Sequence, residues 1–172
     1  IATQTRRYVE KLEGLHTRVL DTRKTTPGLR LLEKKAVELG GGVNHRMGLY
    51  DMIMLKDNHV DFAGGINQAT RKTLKYLQKK EMSLKIEIEV RNLDEVQQVL
   101  EIGGIDRILL DNFSIEQTHQ AVKMIDGMFE TESSGGITLD TLRDYAQCGV
   151  DYVSVGALTH QINSLDMSLK AV

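Results

Sequence analysis

The sequence predicts an α/β fold, specifically an open or incomplete (β/α) TIM-like barrel with six to seven parallel strands. Short apolar segments of strand length alternate with amphipathic helical segments along the 172 residues, and from Lys85 onward the predicted strands begin 22, 21 and 24 residues apart. Parallel strands need crossover connections, and the intervening helices supply them. No linker divides the chain, so residues 1–172 are expected to form one domain. A doubly wound parallel sheet is the alternative.

The elements follow one another in a regular order. A first helix is predicted from Thr3 to about Gly14, because Tyr8, Leu12 and Leu15 recur at helical spacing. The predicted strands are residues 18–20, 52–55, 85–89, 107–110, 128–132 and 152–155, and the sequence also allows a short strand around residue 43. The predicted helices that follow the first are residues 28–39, 67–80, 93–102, 115–125 and 139–148. The polar residues expected at the starts of the last three helices are Asp94, Ser114 and Thr138.

Positive charge is concentrated in the first third of the chain, although the net charge is only −2. Residues 1–60 hold 11 Lys and Arg against 7 Asp and Glu, a balance of +4, whereas the remainder holds 11 against 17, a balance of −6. Five cationic or potentially cationic side chains lie within 34 positions, namely Arg23, Lys24, His45, Arg46 and Lys56. A local cluster in a chain that is not basic as a whole predicts a pocket for a polyanion.

Composition argues against several classes of protein. No run of about 18 apolar residues is present, so no membrane span is predicted. Nucleic-acid binding is not expected, because the chain has neither a basic face nor interleaved aromatic residues. The single cysteine, Cys148, rules out a disulfide framework and fits a reducing compartment, so we expect a cytoplasmic location.

The active site of a βα barrel lies at the carboxyl ends of the strands. The residues at those predicted ends are Asp21-Thr22-Arg23-Lys24, Lys56-Asp57, Glu89, Asp111-Asn112, Ser133-Ser134-Gly135-Gly136 and Gly156-Ala157. Each strand therefore ends in polar, charged or glycine residues, which predicts one polar site at this edge of the sheet.

The cationic residues at these ends are suited to anions. Arg23 and Arg46 can bind a carboxylate or phosphate through the planar guanidinium fork, and Lys24 acts as a compact point charge. His45 is a candidate donor to the same anion, although the residue also fits a hydrogen-bonded loop histidine. Lys56 ends an apolar strand, so its amine is expected at the barrel mouth rather than snorkelling to water.

Two carboxylates, Glu89 and Asp111, end neighbouring predicted strands and are expected to face each other across the mouth. They could hold Mg²⁺ together with water and substrate oxygens, or they could serve as general acid and base. Glu87 shares a strand face with Glu89 but lies deeper, so we expect it to pair with a buried cation. His59 either caps the following segment or lines the site.

Glycines at the ends of the last two strands predict a phosphate site. The segment 133–138 follows a strand and opens a predicted helix, an arrangement in which backbone N–H groups and the helix amino terminus favour an anion. Gly156 follows the last strand, and the loops after the last two strands of a barrel recurrently bind phosphate. The run 40–42 is expected to end the second helix.

These segments together resemble the quinolinate phosphoribosyltransferase family. The matching strings are DTRKTTPGLR at 21–30, GGGVNHRMGL at 40–49, LKDNH at 55–59, IEIEV at 86–90, LLDNF at 109–113, ESSGGI at 132–137 and SVGALTH at 154–160. The resemblance runs through essentially all 172 residues, and the combination is far more specific than any single motif.

The resemblance implies transfer of phosphoribosyl from phosphoribosyl pyrophosphate to quinolinate, with Mg²⁺ as cofactor and with nicotinate mononucleotide, pyrophosphate and CO₂ as products of NAD biosynthesis. The residues that it implies for the dicarboxylate clamp are Arg23, His45 and Arg46, with Thr22 beside them. The residues that it implies for catalysis are Lys24 and Lys56, near the pyrophosphate, and Glu89 and Asp111, near the ribose hydroxyls and Mg²⁺. The residues that it implies for the 5′-phosphate are Ser134, Gly135, Gly136 and Gly156, with His160 nearby.

The resemblance also implies an assembly. Members of the family carry a further amino-terminal domain, which packs across a dimer and contributes an arginine to the partner's site. Ile1 falls at about the first barrel helix, so that domain is expected to be absent from this chain. We therefore expect a homodimer or higher homo-oligomer, and weak or no activity from the 172-residue piece alone.

Two other functions stay open at this point. One is a paralogous phosphoribosyltransferase that acts on nicotinate or another anionic base. A clamp like His45-Arg46 favours quinolinate, because a second substrate carboxylate needs its own partner. The other is a non-catalytic barrel that binds a phosphosugar. Such a protein would need the phosphate cradle but not Glu89 and Asp111 together with Lys56.

Overall fold

The structure is a computed structural model that describes residues 1–163 and 165–171. Its strands are β1 (Arg18–Leu20), β2 (Ile53–Leu55), β3 (Ile86–Val90), β4 (Arg107–Asp111), β5 (Glu130–Ser134) and β6 (Tyr152–Ser154). Its helices are α1 (Ala2–Lys11), α2 (Arg30–Leu39), α3 (Asp57–Ala63), α4 (Ile66–Lys80), α5 (Leu93–Ile102), α6 (Ile115–Ile125), α7 (Leu142–Gln147) and α8 (Ala157–His160). None of these helices is long and apolar enough to cross a bilayer.

The six strands form one sheet in the order β1-β6-β5-β4-β3-β2, and every pairing is parallel. This is the cyclic order of a barrel without the reversal that marks a doubly wound sheet. The barrel is open between β1 and β2, where only an isolated bridge from Leu20 to Val43 extends the sheet. The predicted open barrel is therefore confirmed with six strands, and the segment around residue 43 contributes a single bridge instead of a seventh strand.

Residues that point outward from the sheet form the apolar core. Side chains alternate between the two faces of a strand, and in β3 the set Ile86, Ile88 and Val90 is buried against the surrounding helices. The alternate residues of β3, Glu87 and Glu89, are also buried and face the barrel interior. The outer face thus supplies the apolar burial that stabilises the fold, which leaves the inner face available for charged groups.

Register places those inner residues side by side. Glu87 pairs with Arg107 of β4 and Arg107 pairs with Glu130 of β5. One step nearer the carboxyl ends, Leu109 lies between Glu89 and Glu132. The guanidinium of Arg107 also lies 4.0 Å from the ring centroid of Tyr152, a distance suited to a cation–π contact. The barrel interior therefore carries an ionic layer.

Local signals set the helix boundaries. The bounds of α5 and α6 are those predicted, and α6 begins with a capping box in which Ser114 and Gln117 exchange backbone-to-side-chain hydrogen bonds. Asn92 caps α5, and Asp94 lies in its first turn. Gly40 ends α2, as expected for the glycine run.

Two predicted elements near the carboxyl-terminal end of the sheet were wrong in position. β5 covers 130–134 instead of 128–132, because Met128 still closes the preceding turn by donating to the carbonyl of Ile125. α7 begins at Leu142 instead of 139, because the Thr138 and Thr141 hydroxyls bond to local backbone and hold a turn there. Thr138 is therefore no helix cap, and the glycine pair at 135–136 does not open a helix.

A further helix, α3, occupies a segment for which the sequence predicted no helix or strand. Lys56 precedes α3, and its backbone N–H donates to Nδ1 of His59 at 2.9 Å. His59 therefore caps the start of α3 and does not line the central cavity, which decides between the two roles weighed for it. The short α8, which follows β6, was also unpredicted.

Candidate active site

One cavity of about 850 Å³ lies at the carboxyl ends of the strands. All thirteen residues predicted for substrate, catalytic or metal contacts line it: Thr22, Arg23, Lys24, His45, Arg46, Lys56, Glu89, Asp111, Ser134, Gly135, Gly136, Gly156 and His160. They come from the carboxyl ends of all six strands and from the segment after α2. The cavity therefore brings together groups from both the basic and the acidic parts of the chain.

Two arginines define the cationic side. Burial and the neighbouring Arg23 charge both lower the pKa of Arg46. Arg46 also donates to the carbonyl of Met52 at 3.2 Å, which restrains its guanidinium. Within the described residues, the buried Nε of Arg23 has no acceptor. Two repelling cations and an unpaired donor beside a cavity are suited to a bound anion.

His45 lies at the base of this cationic side, and its ring is buried. Its Nδ1 accepts the backbone N–H of Arg46 at 2.6 Å, so in the neutral imidazole the proton is on Nε2. Nε2 lies 3.0 Å from Oε2 of Glu87 and 3.5 Å from Oε2 of Glu132, but it is not aligned for a hydrogen bond. Burial lowers the pKa of His45. The role of His45 in a carboxylate clamp stays a prediction.

The floor of the cavity is a cluster of charged residues. The sequence predicted only one member of it, Glu87, as a partner of a buried cation. Arg107 donates to Glu132 at 2.9 Å and to Glu130 at 2.9 Å. Burial raises the pKa of Glu87 to about 7. Burial, together with the charge of Glu87, raises the pKa of Glu132 to about 7. Glu87 was expected beside a buried cation, and both Arg107 and His45 lie near it.

This cluster also has ligand atoms of His45, Glu87 and Glu132 within 4.8 Å of one another, a spacing that could hold a metal ion. The guanidinium of Arg107 already supplies a positive charge to Glu132. A second cation there would be repelled by Arg107. The cluster is therefore better described as a buried ion-pair network.

The acidic side of the cavity has two carboxylates at the ends of β3 and β4. Glu89 is buried and accepts from the Lys56 amine at 2.7 Å. Asp111 is half-buried and accepts from the side chain of Asn112 at 2.8 Å. Among the described residues, no third His, Cys or carboxylate joins these two as a three-ligand site. Mg²⁺ is commonly held by one or two carboxylates plus water and phosphate, so this donor set fits that ion.

Two glycines shape the third side of the cavity. Gly135 has φ +104°, and a Cβ there would lie 2.2 Å from Oδ1 of Asn112. A Cβ at Gly156 would lie 2.7 Å from Nε2 of His160. A side chain at either position would therefore collide with Asn112 or His160, so these stretches of the cavity wall require glycine. Because α7 begins six residues after Gly136, the predicted contribution from a helix amino terminus is wrong for this loop.

Comparison with known proteins identifies the family. The family described as "Quinolinate phosphoribosyl transferase, C-terminal domain" matches residues 1–170. The chain belongs to this family. This match confirms the resemblance to the quinolinate phosphoribosyltransferase family that the sequence motifs indicated.

Several relatives share this family. The mitochondrial quinolinate phosphoribosyltransferase [decarboxylating] 2 of Nicotiana glauca is 43% identical over 99% of this chain and 52% of its own length. The chloroplastic nicotinate-nucleotide pyrophosphorylase [carboxylating] of Arabidopsis thaliana is 47% identical over 88% of this chain and 48% of its own. The crystal structure of NadC from Streptococcus pyogenes matches with a TM-score of 0.91 and 44% identity, over 99% of this chain and 58% of that one. The chain thus spans about half the length of these curated relatives.

The cavity of this family member has further lining residues to which the sequence analysis assigned no substrate, catalytic or metal contact. They are Gln4, Tyr8, Met54, Leu109, Asn112, Glu132, Ile137, Thr138, Ser154, Ala157 and Gln161. Gln4 and Tyr8 lie one turn apart on α1 and therefore on the same face of that helix. This spacing is the one sequence feature that could have indicated that both line the cavity. The amide of Gln4 donates to the carbonyl of Ala157 at 3.3 Å, which joins α1 to the start of α8.

Proposed function

We propose that the protein transfers a phosphoribosyl group from phosphoribosyl pyrophosphate to quinolinate, with loss of CO₂, to give nicotinate mononucleotide and pyrophosphate in NAD biosynthesis. The observation that carries the proposal is the single cavity in which a paired-arginine side, a lysine–carboxylate side and a glycine side meet. Each side has the chemistry that one part of this substrate pair requires. The family of the chain supports the same reaction.

The paired arginines would bind the dicarboxylate. Arg23 and Arg46 come from different loops, so each can take one carboxylate while the unpaired Nε of Arg23 gains an acceptor. His45 lies directly beside Arg46 at the pocket base and would complete the clamp. Two separate carboxylate contacts would fix the orientation of the quinolinate ring relative to the incoming sugar.

The lysines would stabilise the leaving pyrophosphate. Lys56 is half-exposed and already bonded to Glu89, so its amine can bind a phosphate oxygen without losing contact with the acidic side. Lys24 lies between the arginines and the glycine loops, and its carbonyl accepts from the hydroxyl of Thr159 at 2.7 Å. Positive charge fixed in place before the reaction lowers the barrier to pyrophosphate departure.

The carboxylates would serve the sugar and the metal ion. Negative charge from Glu89 and Asp111 beside a ribose that develops oxocarbenium character stabilises that positive charge. Mg²⁺, held by Glu89 and Asp111, would neutralise the pyrophosphate oxygens when bound. After N-ribosylation the ring nitrogen is cationic, so it stabilises the electron pair left on the ring carbon when the adjacent carboxylate departs as CO₂. A proton from water then bonds to that carbon and gives the C–H of nicotinate mononucleotide.

The glycine side would hold the 5′-phosphate. Ser134 offers a hydroxyl, and the backbone at Gly135, Gly136 and Gly156 allows close approach. His160 lines the same side and its ring touches the space that a Cβ at Gly156 would fill. The distance from this side to the arginines defines the length of substrate that the cavity accepts.

An assembly of two or more copies, in the cytoplasm, forms part of the proposal. Large apolar side chains are exposed on α2 and in the following loop, including Leu31, Leu32, Leu39, Leu49 and Tyr50. Contiguous exposed apolar surface is typical of faces that another protein surface covers. The mass of the intact protein in solution, measured by light scattering, tests this; a monomer at micromolar concentration contradicts it.

The reaction is tested by mixing the intact protein with quinolinate, phosphoribosyl pyrophosphate and Mg²⁺ and following nicotinate mononucleotide. Product is expected from quinolinate, and far less from nicotinate under the same conditions. No product, or equal product from nicotinate, would sink the quinolinate assignment.

A further inference from the structure

Two loops supply the cationic side of the cavity, and they are separated in the chain by the whole of α2. The first loop, residues 21–26, carries Arg23 and Lys24, and the second, residues 44–47, carries His45 and Arg46. β1 and β2 do not pair, which leaves a seam in the barrel, and Val43 covers only the start of that seam through its bridge to Leu20. The N–H of Val43 donates to the carbonyl of Val19 at 2.9 Å, and the carbonyl of Val43 accepts from Asp21 at 3.1 Å, so the starts of the two loops lie side by side. Beyond this bridge no strand pairing joins the two loops within the described residues, and the like charges on them repel.

α2 bridges these two loops with two of its cationic side chains. The Lys34 amine, fully buried, bonds to Oδ1 of Asp21 in the first loop and donates to the carbonyl of His45 in the second at 3.0 Å. Oδ1 of Asp21 also accepts the backbone N–H of His45 at 2.8 Å. The peptide units on either side of His45 are thus held by one buried ion pair.

Arg30, one turn earlier on α2, makes the second bridge. Its guanidinium donates to the carbonyl of Arg23 at 3.2 Å and to the hydroxyl of Thr25 at 3.1 Å in the first loop. It donates to the carbonyl of Met47 in the second loop, also at 3.2 Å. Neither Arg30 nor Lys34 lines the cavity. Both act on backbone next to residues that do.

We infer that Arg30 and Lys34 are positioning residues that fix the separation of Arg23 and Arg46, and that this separation selects a planar dicarboxylate. This inference rests on the proposed function. A dicarboxylate engages both loops at once, so its affinity depends on their relative placement. In the proposed function, phosphoribosyl pyrophosphate would contact the lysines, the carboxylates and the glycine loops. Of these groups only Lys24 lies on the two loops, so binding of this substrate depends much less on their separation.

Arg30 offers the cleaner test of the two. Removing the Lys34 amine would leave the Asp21 carboxylate buried without its partner, which is a severe destabilisation in itself. Arg30 is only partly buried, and Arg30→Ala leaves the Lys34–Asp21 pair in place. Arg143→Ala is a matched control, because Arg143 also donates to two backbone carbonyls, at 2.7 and 3.2 Å, away from the cavity.

The experiment is steady-state kinetics of the intact protein with Mg²⁺. For Arg30→Ala the KM for quinolinate is expected to rise about tenfold, whereas kcat and the KM for phosphoribosyl pyrophosphate change by less than about twofold, as expected when uniform binding energy is lost. Arg30→Lys is expected to recover part of the loss, because an ammonium can reach one carbonyl but not both. Arg143→Ala should leave all three constants unchanged.

A second measurement needs no substrate. Amide hydrogen exchange of Arg30→Ala should be faster in both loops, 21–26 and 44–47, and unchanged in Arg143→Ala. An unchanged KM for quinolinate, or equal losses for both substrates, would overturn the specificity role. Unchanged exchange in the two loops would overturn the positioning role. If the unaltered protein does not turn over quinolinate, the proposed function fails together with the substrate named here, and the exchange data still decide whether Arg30 holds the loops.

Discussion

At the scale of single residues, Gly135 is the position where the phosphate side of the cavity depends most on backbone shape. Its φ of +104° is strained for any residue with a side chain, and the nearest atom to a Cβ would be Oδ1 of Asn112 at 2.2 Å. A side chain at 135 therefore has to displace Asn112, which in turn contacts Asp111. The phosphate loop and the acidic side are coupled through this one contact.

Replacement of Gly135 by Ala should weaken binding of the phosphosugar. The KM for phosphoribosyl pyrophosphate is expected to rise about tenfold or more, and the KM for quinolinate to change little, because the arginine side is not in contact with this loop. Gly103→Ala is the control, since Gly103 also has positive φ, +62°, but no atom lies within 4 Å of a Cβ there. That variant should lose about 1–3 kcal/mol of stability, because positive φ with ψ −160° is a backbone region that essentially only glycine adopts, and it should keep both constants. Equal KM effects from the two variants would contradict the prediction.

The buried carboxyl of Glu132 links the site to the stability of the fold. Its pKa is raised to about 7, first by burial and then by the Glu87 charge. A carboxyl whose folded pKa lies above its unfolded value stabilises the fold at low pH, and that contribution is lost as pH rises through the folded pKa. The relevant window is between the ordinary value of 4.5 and about 7.

Glu132→Gln should therefore flatten the pH dependence of stability. In the unaltered protein this group lowers the free energy of unfolding as pH rises from 5 to 7.5, by an amount on the order of 1–3 kcal/mol. The amide does not titrate, so the variant lacks that component in urea unfolding at the two pH values. Glu116→Gln, on the exposed face of α6, is the control and should leave the pH dependence unchanged. A steeper fall in Glu132→Gln than in the unaltered protein would refute the assignment.

Residues at the strand ends could be predicted because one geometric rule places them at one edge. Arg107, Glu132 and Lys34 could not be assigned to the site in the same way. A charged residue in a strand or helix looks the same in the sequence whether it faces solvent or a buried partner. The partners of Arg107 lie 23 and 25 residues away, and their pairing depends on strand register. That register becomes known only when the sheet is built.

At the scale of elements, α6 shows how local chemistry fixes a boundary. Ser114 accepts the backbone N–H of Gln117 at 3.1 Å, and Gln117 returns the interaction to the N–H of Ser114 at 3.0 Å. Both bonds satisfy donors that the first turn would otherwise leave without partners. This pattern is readable in the sequence, which is why the predicted bounds of α6 agree with the structure. α3 lacks a comparable sequence signature, because its start is capped by a histidine.

Ser114→Ala should destabilise the protein without changing its chemistry. Loss of a serine cap costs about 1 kcal/mol, which corresponds to a fall in Tm of about 2–4 °C for a domain of this size. Catalytic constants should not change, because Ser114 lies outside the cavity. Ser83→Ala, in the exposed segment before β3, is the control and should leave Tm unchanged. A changed KM with an unchanged Tm would contradict this account.

At the scale of the whole molecule, the open seam means that strands at different places around the barrel have different numbers of paired neighbours. β4 pairs with strands on both sides, whereas β2 pairs with β3 alone. The side chains of β2 are also less buried than those of β4. The alternation of strands and helices was sufficient to predict the barrel, but it carried no information on where the ring opens, because that depends on the length and packing of the segment 21–52.

Amide hydrogen exchange should detect this difference in strand pairing. The amides of β2 are expected to exchange faster than those of β4, since an edge strand opens at a lower free energy than a central one. Exchange followed by mass spectrometry on the intact protein resolves peptides that cover Ile53–Leu55 and Arg107–Asp111. Equal protection of the two strands would mean that another surface pairs with or covers β2 in solution.

The seam also removes a geometric constraint on evolution of the cavity. In a closed barrel the strand number and stagger together determine the diameter, so one strand cannot move without its neighbours. Here the edge that carries Lys56 is joined to the opposite edge through the segment between them, which forms a single bridge to β1 at Val43. The width of this mouth can therefore be retuned by substitutions in that one connection, with the hydrogen-bond ladder of the other strands left intact.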